Sequence, residues 1–267
     1  MFISLTDQCY RTIELAERPL RIISLVPSQT ELLIDLGLEE NLVGVTRFCV
    51  HPAGLTDRVT VVGGTKKIVT SRLYELQPDL IICNKEENTP AIVQDCDRIA
   101  PTYVSDIATL EDALEMIADV GKLTGASFKA KSVVNNIKIA FNGLDKKKTP
   151  VKALYLICKD PYMSVGDNTF IHDMMQHAGL ENVCASLSRY PELNVDAMVA
   201  LEPEVVLLSS EPYEFTSEDM NVLVSAFAKA NLTTKILRVN GEVFSWYGSR
   251  LLKSPGAFKE LGADILA

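Results

Sequence analysis

The sequence predicts an α/β protein of two Rossmann-like lobes, each with a mostly parallel sheet, joined by a single long helix. Three observations carry this expectation. Short apolar runs alternate with helical stripes through both halves of the chain, the pattern of strand–helix–strand units in a parallel sheet. A segment of the first half is echoed in the second: Leu76-Gln77-Pro78-Asp79-Leu80-Ile81-Ile82-Cys83-Asn84-Lys85-Glu86 matches Leu201-Glu202-Pro203-Glu204-Val205-Val206-Leu207-Leu208-Ser209-Ser210-Glu211. The repeat period exceeds 120 residues, which is a duplicated lobe and not a solenoid. Between the copies, Leu110 to Leu144 carries two helical stripes. The second starts near Ser127, a candidate N-cap, and stops at Asn142, Gly143 and Pro150. At 1.5 Å per residue it is roughly 24 Å long, enough to run along the side of a domain. The expected division is residues 1–108 for the N-terminal lobe, 109–149 for a helical segment containing the backbone helix, and 150–267 for the C-terminal lobe.

The elements follow in order. Asp7 to Leu15 reads as a hairpin or extended lead-in, and Arg21 to Val26 as a buried strand ending at Pro27. Ser28 with Glu31 has the S-x-x-E spacing of a capping box opening a helix closed by Gly37. Strands are expected at Leu42–Val45, Val59–Val62, Leu80–Cys83 and Thr102–Val104, with helices near Ser71–Gln77 and Thr89–Ala100. Past the connecting helix come strand Ala153–Cys158, loop 159–168 and helix Thr169–Ala178 before Gly179. Helix Val195–Leu201, strand Val205–Leu208, helix Ser217–Ala230, strand Ile236–Val239 and a final helix from about Arg250 complete the chain.

Composition narrows the function. Hydrophobic residues make up 47% of 267, ample for folded cores, and 26 basic against 35 acidic residues leave a formal charge of -9. The only basic run, Lys146-Lys147-Lys148, reads as a solvated connector, so neither nucleic acid nor an anionic membrane is an expected partner. Six cysteines without C-x-x-C spacing fit free thiols in a reducing compartment, with Cys83 and Cys158 expected to be buried in strands. The N-terminus lacks a basic region followed by an apolar stretch, and no apolar run reaches transmembrane length. As it stands the sequence therefore reads as cytoplasmic, or as periplasmic if a leader has been removed.

In parallel α/β sheets ligands bind beyond the carboxyl ends of the strands. The loops expected there, facing one another across a cleft, supply the candidate ligand-binding residues. The first lobe offers Pro27, Ser28, Arg47, Phe48, His51, Gly64, Lys66, Lys85 and Glu86; the second offers Tyr162, Tyr190, Tyr213, Phe244, Trp246, Tyr247 and Arg250. The aromatic side chains suit a large, flat, partly apolar ligand. Arg47, Cys49 and His51 invite a nucleophile or a metal site, but with only three His and no partner at ligating spacing, neither a catalytic residue nor a metal ligand is assigned. Gly63-Gly64-Thr65-Lys66 is not a phosphate-binding loop of known pattern.

Arg21 to Ser28 with Glu31, Val43-Gly44-Val45, Pro52, Gly63-Gly64 and Leu76-Gln77-Pro78-Asp79-Leu80-Ile81 together resemble the class III, helical-backbone substrate-binding proteins, in particular the cobalamin- and iron-chelate-binding group. The similarity runs from Asp7 to the C-terminal helix. Thr46 to Pro52, Asn84 to Asn88 and Phe244 to Arg250 are similar to a soluble subgroup regarded as cobalamin-binding. This resemblance implies a ligand in the cleft with small hinge closure, and a corrinoid, haem or ferric siderophore delivered to an ABC importer. Two departures stand against delivery: the leader or lipid anchor of secreted members is missing from the sequence, and the acidic residue through which members dock the permease aligns with Pro90. The expected function is a non-enzymatic binding protein for a cobalamin-like corrinoid or metal chelate, needing no cofactor. The alternatives are a cytoplasmic corrinoid-handling enzyme or a ligand sensor on the same fold.

Overall fold

The buried apolar runs become the central strands of two separate sheets. The structure, a computed structural model, describes residues 2–145 and 149–267; the Lys146-Lys147-Lys148 cluster lies outside them. The chain divides into two compact units, the first formed by Met1–Ile107, Glu111–Lys138 and Tyr247–Arg250, the second by Ala108–Leu110, Ile139–Trp246 and Leu251–Ala267.

Unit 1 opens with an antiparallel hairpin of β1 (Ile3–Thr6) and β2 (Thr12–Leu15). It continues through β3 (Ile22–Ser24), α1 (Pro27–Asp35), β4 (Leu42–Thr46), α2 (Leu55–Arg58), β5 (Thr60–Gly63), α3 (Thr70–Leu76), β6 (Leu80–Asn84), α4 (Pro90–Asp97) and β7 (Thr102–Ser105). The sheet order is β5-β4-β3-β6-β7, and every pairing is parallel. Strands buried on both faces need apolar side chains throughout, and β3 and β6 are buried at every position. Ile23, Leu25, Val62, Leu73, Ile81 and Cys83 form the core beneath them.

The hairpin is fastened to the edge strand β7 through Asp7. Its buried carboxylate accepts hydrogen bonds from the N–H groups of Cys9, Arg11 and Val104 and from Arg11 Nε, at 2.8–3.1 Å. Covering an edge in this way removes a template for unwanted strand pairing.

One local reading is corrected here. Ser28 and Glu31 form no capping box: Val26 is the N-cap of α1, no side chain caps the helix, and Pro27 occupies its first turn, where a missing N–H costs nothing. Pro90 likewise opens α4, whose cap is Thr89 accepting from the Ile92 N–H at 3.3 Å. The carboxylate of Glu31 has a distant partner, described below.

Helix α5 (Leu110–Leu123) and helix α6 (Ser127–Asn142) follow, and the latter starts in unit 1 and ends in unit 2. They meet at a tight turn: a Cβ on Gly121 would stand 2.3 Å from the Ala130 Cβ, and Gly125 has φ +72. Ser127 is the first residue of α6, and its hydroxyl donates to the Gly121 carbonyl at 3.3 Å.

Unit 2 comprises β8 (Val151–Cys158), β9 (Tyr162–Ser164), α7 (Phe170–His177), β10 (Leu180–Asn182), β11 (Glu192–Leu193), α8 (Val195–Ala200), β12 (Val205–Ser209), α9 (Ser217–Lys229), β13 (Lys235–Val239), α10 (Glu242–Ser245) and α11 (Ser254–Leu266). The order is β11-β9-β8-β12-β13, with β10 also on β8. β10, β8, β12 and β13 run parallel, while β9 and β11 are antiparallel additions. The expected loop 159–168 therefore holds a strand. β9 and β11 are too short for an alternating pattern to announce them. The final helix starts at Ser254, after a 3-10 turn at Ser249–Leu252, rather than at Arg250.

The duplication is visible in backbone conformation. Gln77 and Glu202, equivalent in the repeated segment, are both left-handed, with φ 44 and 46, and Gly37 and Gly179 match at φ 80 and 75. All six cysteines are free; Cys83 is buried, but Cys158 is half-buried where β8 runs out into the turn at Lys159. Among the described residues, no helix is long and apolar enough to cross a membrane.

Candidate functional site

In unit 1 the carboxyl ends of β4, β5 and β6 lead into three loops that are bonded to one another. The Arg47 N–H donates to the Gly63 carbonyl at 2.8 Å, and the Gly64 N–H to the Lys67 carbonyl at 2.8 Å. The Arg47 guanidinium lies over the Phe48 ring, 4.9 Å from its centroid, a cation–π contact. Gly64 lies close beside them: a Cβ there would stand 3.1 Å from Phe48 Cε2 and 3.3 Å from Arg47 Nη2, so both side chains would have to give way by a few tenths of an ångström. The third loop is shaped by two buried asparagines. Asn84 Oδ1 accepts from the N–H groups of Glu86 and Glu87 at 2.8 and 3.0 Å, and Asn88 Oδ1 accepts from the Asn84 N–H at 3.0 Å. Asn88 Nδ2 then donates to the Thr65 carbonyl at 3.0 Å, and Lys66 Nζ donates to the Glu86 carbonyl. Arg47, Phe48, Gly64, Lys66 and Glu86 are thus brought together. Lys85 turns aside to Asp106, 2.5 Å away.

Cys49, between Phe48 and His51, is built into this loop. Its buried thiol lies 3.2 Å from Thr30 Oγ1 and 3.3 Å from Thr46 Oγ1. Burial pushes its pKa up against the opposing effect of those hydroxyls, the reverse of what an attacking thiolate needs. His51, half-buried, closes the loop before a cis peptide bond to Pro52.

Residues Tyr247–Arg250 also belong to unit 1. Arg250 Nε and Nη2 donate to the two carboxylate oxygens of Glu31, each at 2.7 Å, and both side chains are buried. This fork-to-fork geometry is the strong form of the pair. Gly248, at φ +116, passes close to α1: a Cβ there would stand 3.1 Å from the Ser28 carbonyl oxygen. Gly248 thus comes up against Ser28 while the guanidinium of Arg250, expected to face a ligand, is held by Glu31; Tyr247, in the same segment, is buried at 7% exposure.

Unit 2 offers aromatic loops of two kinds. Phe244 is core: 1% exposed, its ring lies 5.3 Å from Tyr155 and 4.9 Å from Phe258. Trp246 is held by its edge, with Nε1 donating to Glu211 Oε1 at 2.9 Å beside Ser245 Oγ at 2.8 Å. Tyr162, Tyr190 and Tyr213 remain half-buried. Tyr213 packs edge-on against Phe215 at 4.9 Å and donates to Asp219 at 3.3 Å. The Lys159 ammonium, 2.5 Å from Asp219, and the Thr216 N–H hold that carboxylate well below the usual range. Among the described residues the buried hydroxyl of Tyr162 has no hydrogen-bond partner. Arg189 lies 5.7 Å from the Tyr190 ring.

Among the described residues no three His, Cys, Asp or Glu side chains are grouped to hold a metal ion. The geometry is that of strand-end loops fastened to one another by hydrogen bonds. A family model described as periplasmic binding protein matches residues 22–234. The chain belongs to the periplasmic binding protein family. Among its relatives, the uncharacterized ABC transporter substrate-binding lipoprotein YvrC of Bacillus subtilis (strain 168) is 24% identical over 216 residues, covering 77% of this chain and 68% of that protein. The vitamin B12-binding protein of Vibrio parahaemolyticus is 26% identical over 208 residues, covering 75% and 74%. A crystal structure of the periplasmic heme binding protein HutB of Vibrio cholerae shares the fold, with a TM-score of 0.77 at 22% identity over 91% of this chain and 98% of that one.

Within this binding-protein fold, Asn84, Asn88, Glu211 and Asp219 shape the loops and were not singled out from the sequence. Asn84 had a readable signal, an Asx-turn residue at the end of an apolar strand. Glu211 had another, since it is the counterpart of Glu86 in the repeat. The Glu86 carbonyl accepts from Lys66 Nζ, and the Glu211 carboxylate accepts from Trp246 Nε1.

Proposed function

We propose that this chain is a non-enzymatic binding protein that takes a cobalamin-like corrinoid, or a metal chelate such as haem or a ferric siderophore, and delivers it to an ABC permease. The observation that carries this reading is the family match over residues 22–234 together with a vitamin B12-binding relative aligned over three quarters of each chain. The strand-end loops support it chemically, since Phe48, Tyr162, Tyr190 and Tyr213 offer aromatic surface and Arg47 and Lys66 offer polar anchors. The environment of Cys49 supports binding over nucleophilic chemistry. An importer partner implies work outside the cytoplasmic membrane; cell fractionation tests this, and recovery only with the cytosol contradicts it.

The test of the ligand class is equilibrium titration with cobalamin, cobinamide, haem and ferric siderophores, followed by Trp246 fluorescence. These chromophores absorb where an indole emits, so quenching needs no direct contact with the ring. The expected result is saturable quenching by at least one of them. Failure of all four overturns the ligand class.

A further inference from the structure

Unit 2 carries a groove of about 740 Å³ between α8 and α9, and none of the candidate ligand-binding residues lines it. Its apolar lining is Val195 and Val199 from α8 with Val222 and Ala226 from α9. Helix α9 meets its own packing needs on the opposite side, where Leu223 and Phe227 enter the core of the unit. Val222, next to Leu223, is left 47% exposed. An apolar side chain on the outward stripe of a helix already packed on its inner one marks a surface with further use.

The charges beside it say what fits. Glu218, Val222, Ser225 and Lys229 are spaced by four, three and four residues, which aligns them in one stripe, and all four are exposed. Glu218 stands in the first turn and Lys229 in the last, roughly 16 Å apart along the axis. Each charge also suits its own helix end, but the valine and serine between them do nothing for the dipole. A stripe with an acid at one end and a base at the other is complementary to itself when reversed. A second α9 laid antiparallel sets the partner's Lys229 against Glu218 and the partner's Glu218 against Lys229, with Val222 beside the partner's Ser225. The small side chains of Ser225 and Ala226 leave room for the two helices to approach. This reciprocity, in which one patch meets its own copy, is what a two-fold interface requires.

We propose that α9 is a self-association surface on which two copies of this chain pair antiparallel through Glu218, Val222, Ser225 and Lys229, each α8–α9 groove receiving the partner's Val222. One helix pair with its flanking groove covers less than the roughly 800 Å² per partner of a standard interface. The dimer is therefore one that forms at high protein concentration and separates on dilution. It is independent of which ligand the strand-end loops take.

Analytical ultracentrifugation of the full chain from about 10 μM to about 1 mM tests this. The average mass is expected to rise with concentration from one chain towards two. Glu218→Lys and Lys229→Glu each place like charges together at two symmetry-related points, and each is expected to weaken dimerisation about fivefold or more. The chain carrying both exchanges restores the pairing and is expected to dimerise within about twofold of the native chain. Val222→Asp is expected to abolish the dimer. Matching circular dichroism and unfolding midpoints separate these losses from misfolding, and if Val222→Asp fails to fold, the charge exchange decides. A chain that stays monomeric throughout, as it would if the groove serves a different partner, overturns the proposal. So does assembly beyond two chains, a dimer indifferent to Val222→Asp, or a double exchange no tighter than the single ones.

Discussion

Asp119 on α5 lies half-buried against Tyr103, whose hydroxyl donates to it at 3.2 Å. Burial raises its pKa to about 6 from 3.8; the Tyr103 hydrogen bond works against this and Glu115 adds to it. The folded state therefore binds this proton more tightly than the unfolded chain. Stability from this group is present below about pH 4 and is lost as pH rises through about 6. Asp119→Asn is expected to raise stability at pH 7.5 by about 1–2 kcal/mol, the full shift being discounted for residual solvent. Urea unfolding at pH 7.5 and pH 5 checks it; a variant less stable at pH 7.5 contradicts the assignment. The Glu31–Arg250 pair makes a second residue-scale case. Glu31→Gln leaves a buried guanidinium without its anion and is expected to cost about 3–5 kcal/mol, whereas Glu31→Leu with Arg250→Met recovers most of that loss. Denaturation of the single and double variants decides. This pair explains a misreading as well: Ser28 and Glu31 have the local spacing of a capping box, but the partner of Glu31 lies 219 residues along the chain, beyond what local spacing reveals.

Elements were legible where apolar runs or helical stripes were long, and illegible where an element is made by its neighbours. β3, β6 and β12 announce themselves because strands buried on both faces must be apolar. β9 and β11 exist because the edge of β8 needs pairing, which no residue pattern in them states. The turn between α5 and α6 is the clearest case of an element fixed by one position. With Gly121 so close to Ala130, Gly121→Ala must push the two helices apart, and a loss of about 1–3 kcal/mol is expected from thermal or urea unfolding. An unchanged midpoint would show that the helices can separate without loss. The Asp7 staple of the first hairpin is expected to matter similarly. Asp7→Ala strands one buried and two part-buried backbone donors at once, and a loss of about 3 kcal/mol is expected by urea unfolding; a loss below about 1 kcal/mol would mean that water replaces the carboxylate.

At the scale of the molecule, duplication made the fold readable: the repeated L-x-P-acidic segment carries the same left-handed residue, Gln77 in one unit and Glu202 in the other. The candidate loops were readable for the same reason, since strand ends follow from strands. Which side chains in those loops are available was not. Phe244 and Arg250 were singled out by type, and the structure commits the first to the core and the second to Glu31; Arg47 and Phe48 stand exposed at 4.9 Å from one another. The account rests on the loops of each unit serving a ligand. It is tested most directly by titrating the native chain, Phe48→Ala and Tyr213→Ala with cobalamin and haem, read by ligand absorbance and Trp246 quenching. The account predicts saturable binding of at least one of them to the native chain, weakened about tenfold or more by each substitution. No saturable binding of either, or affinities unchanged in both variants, would contradict it.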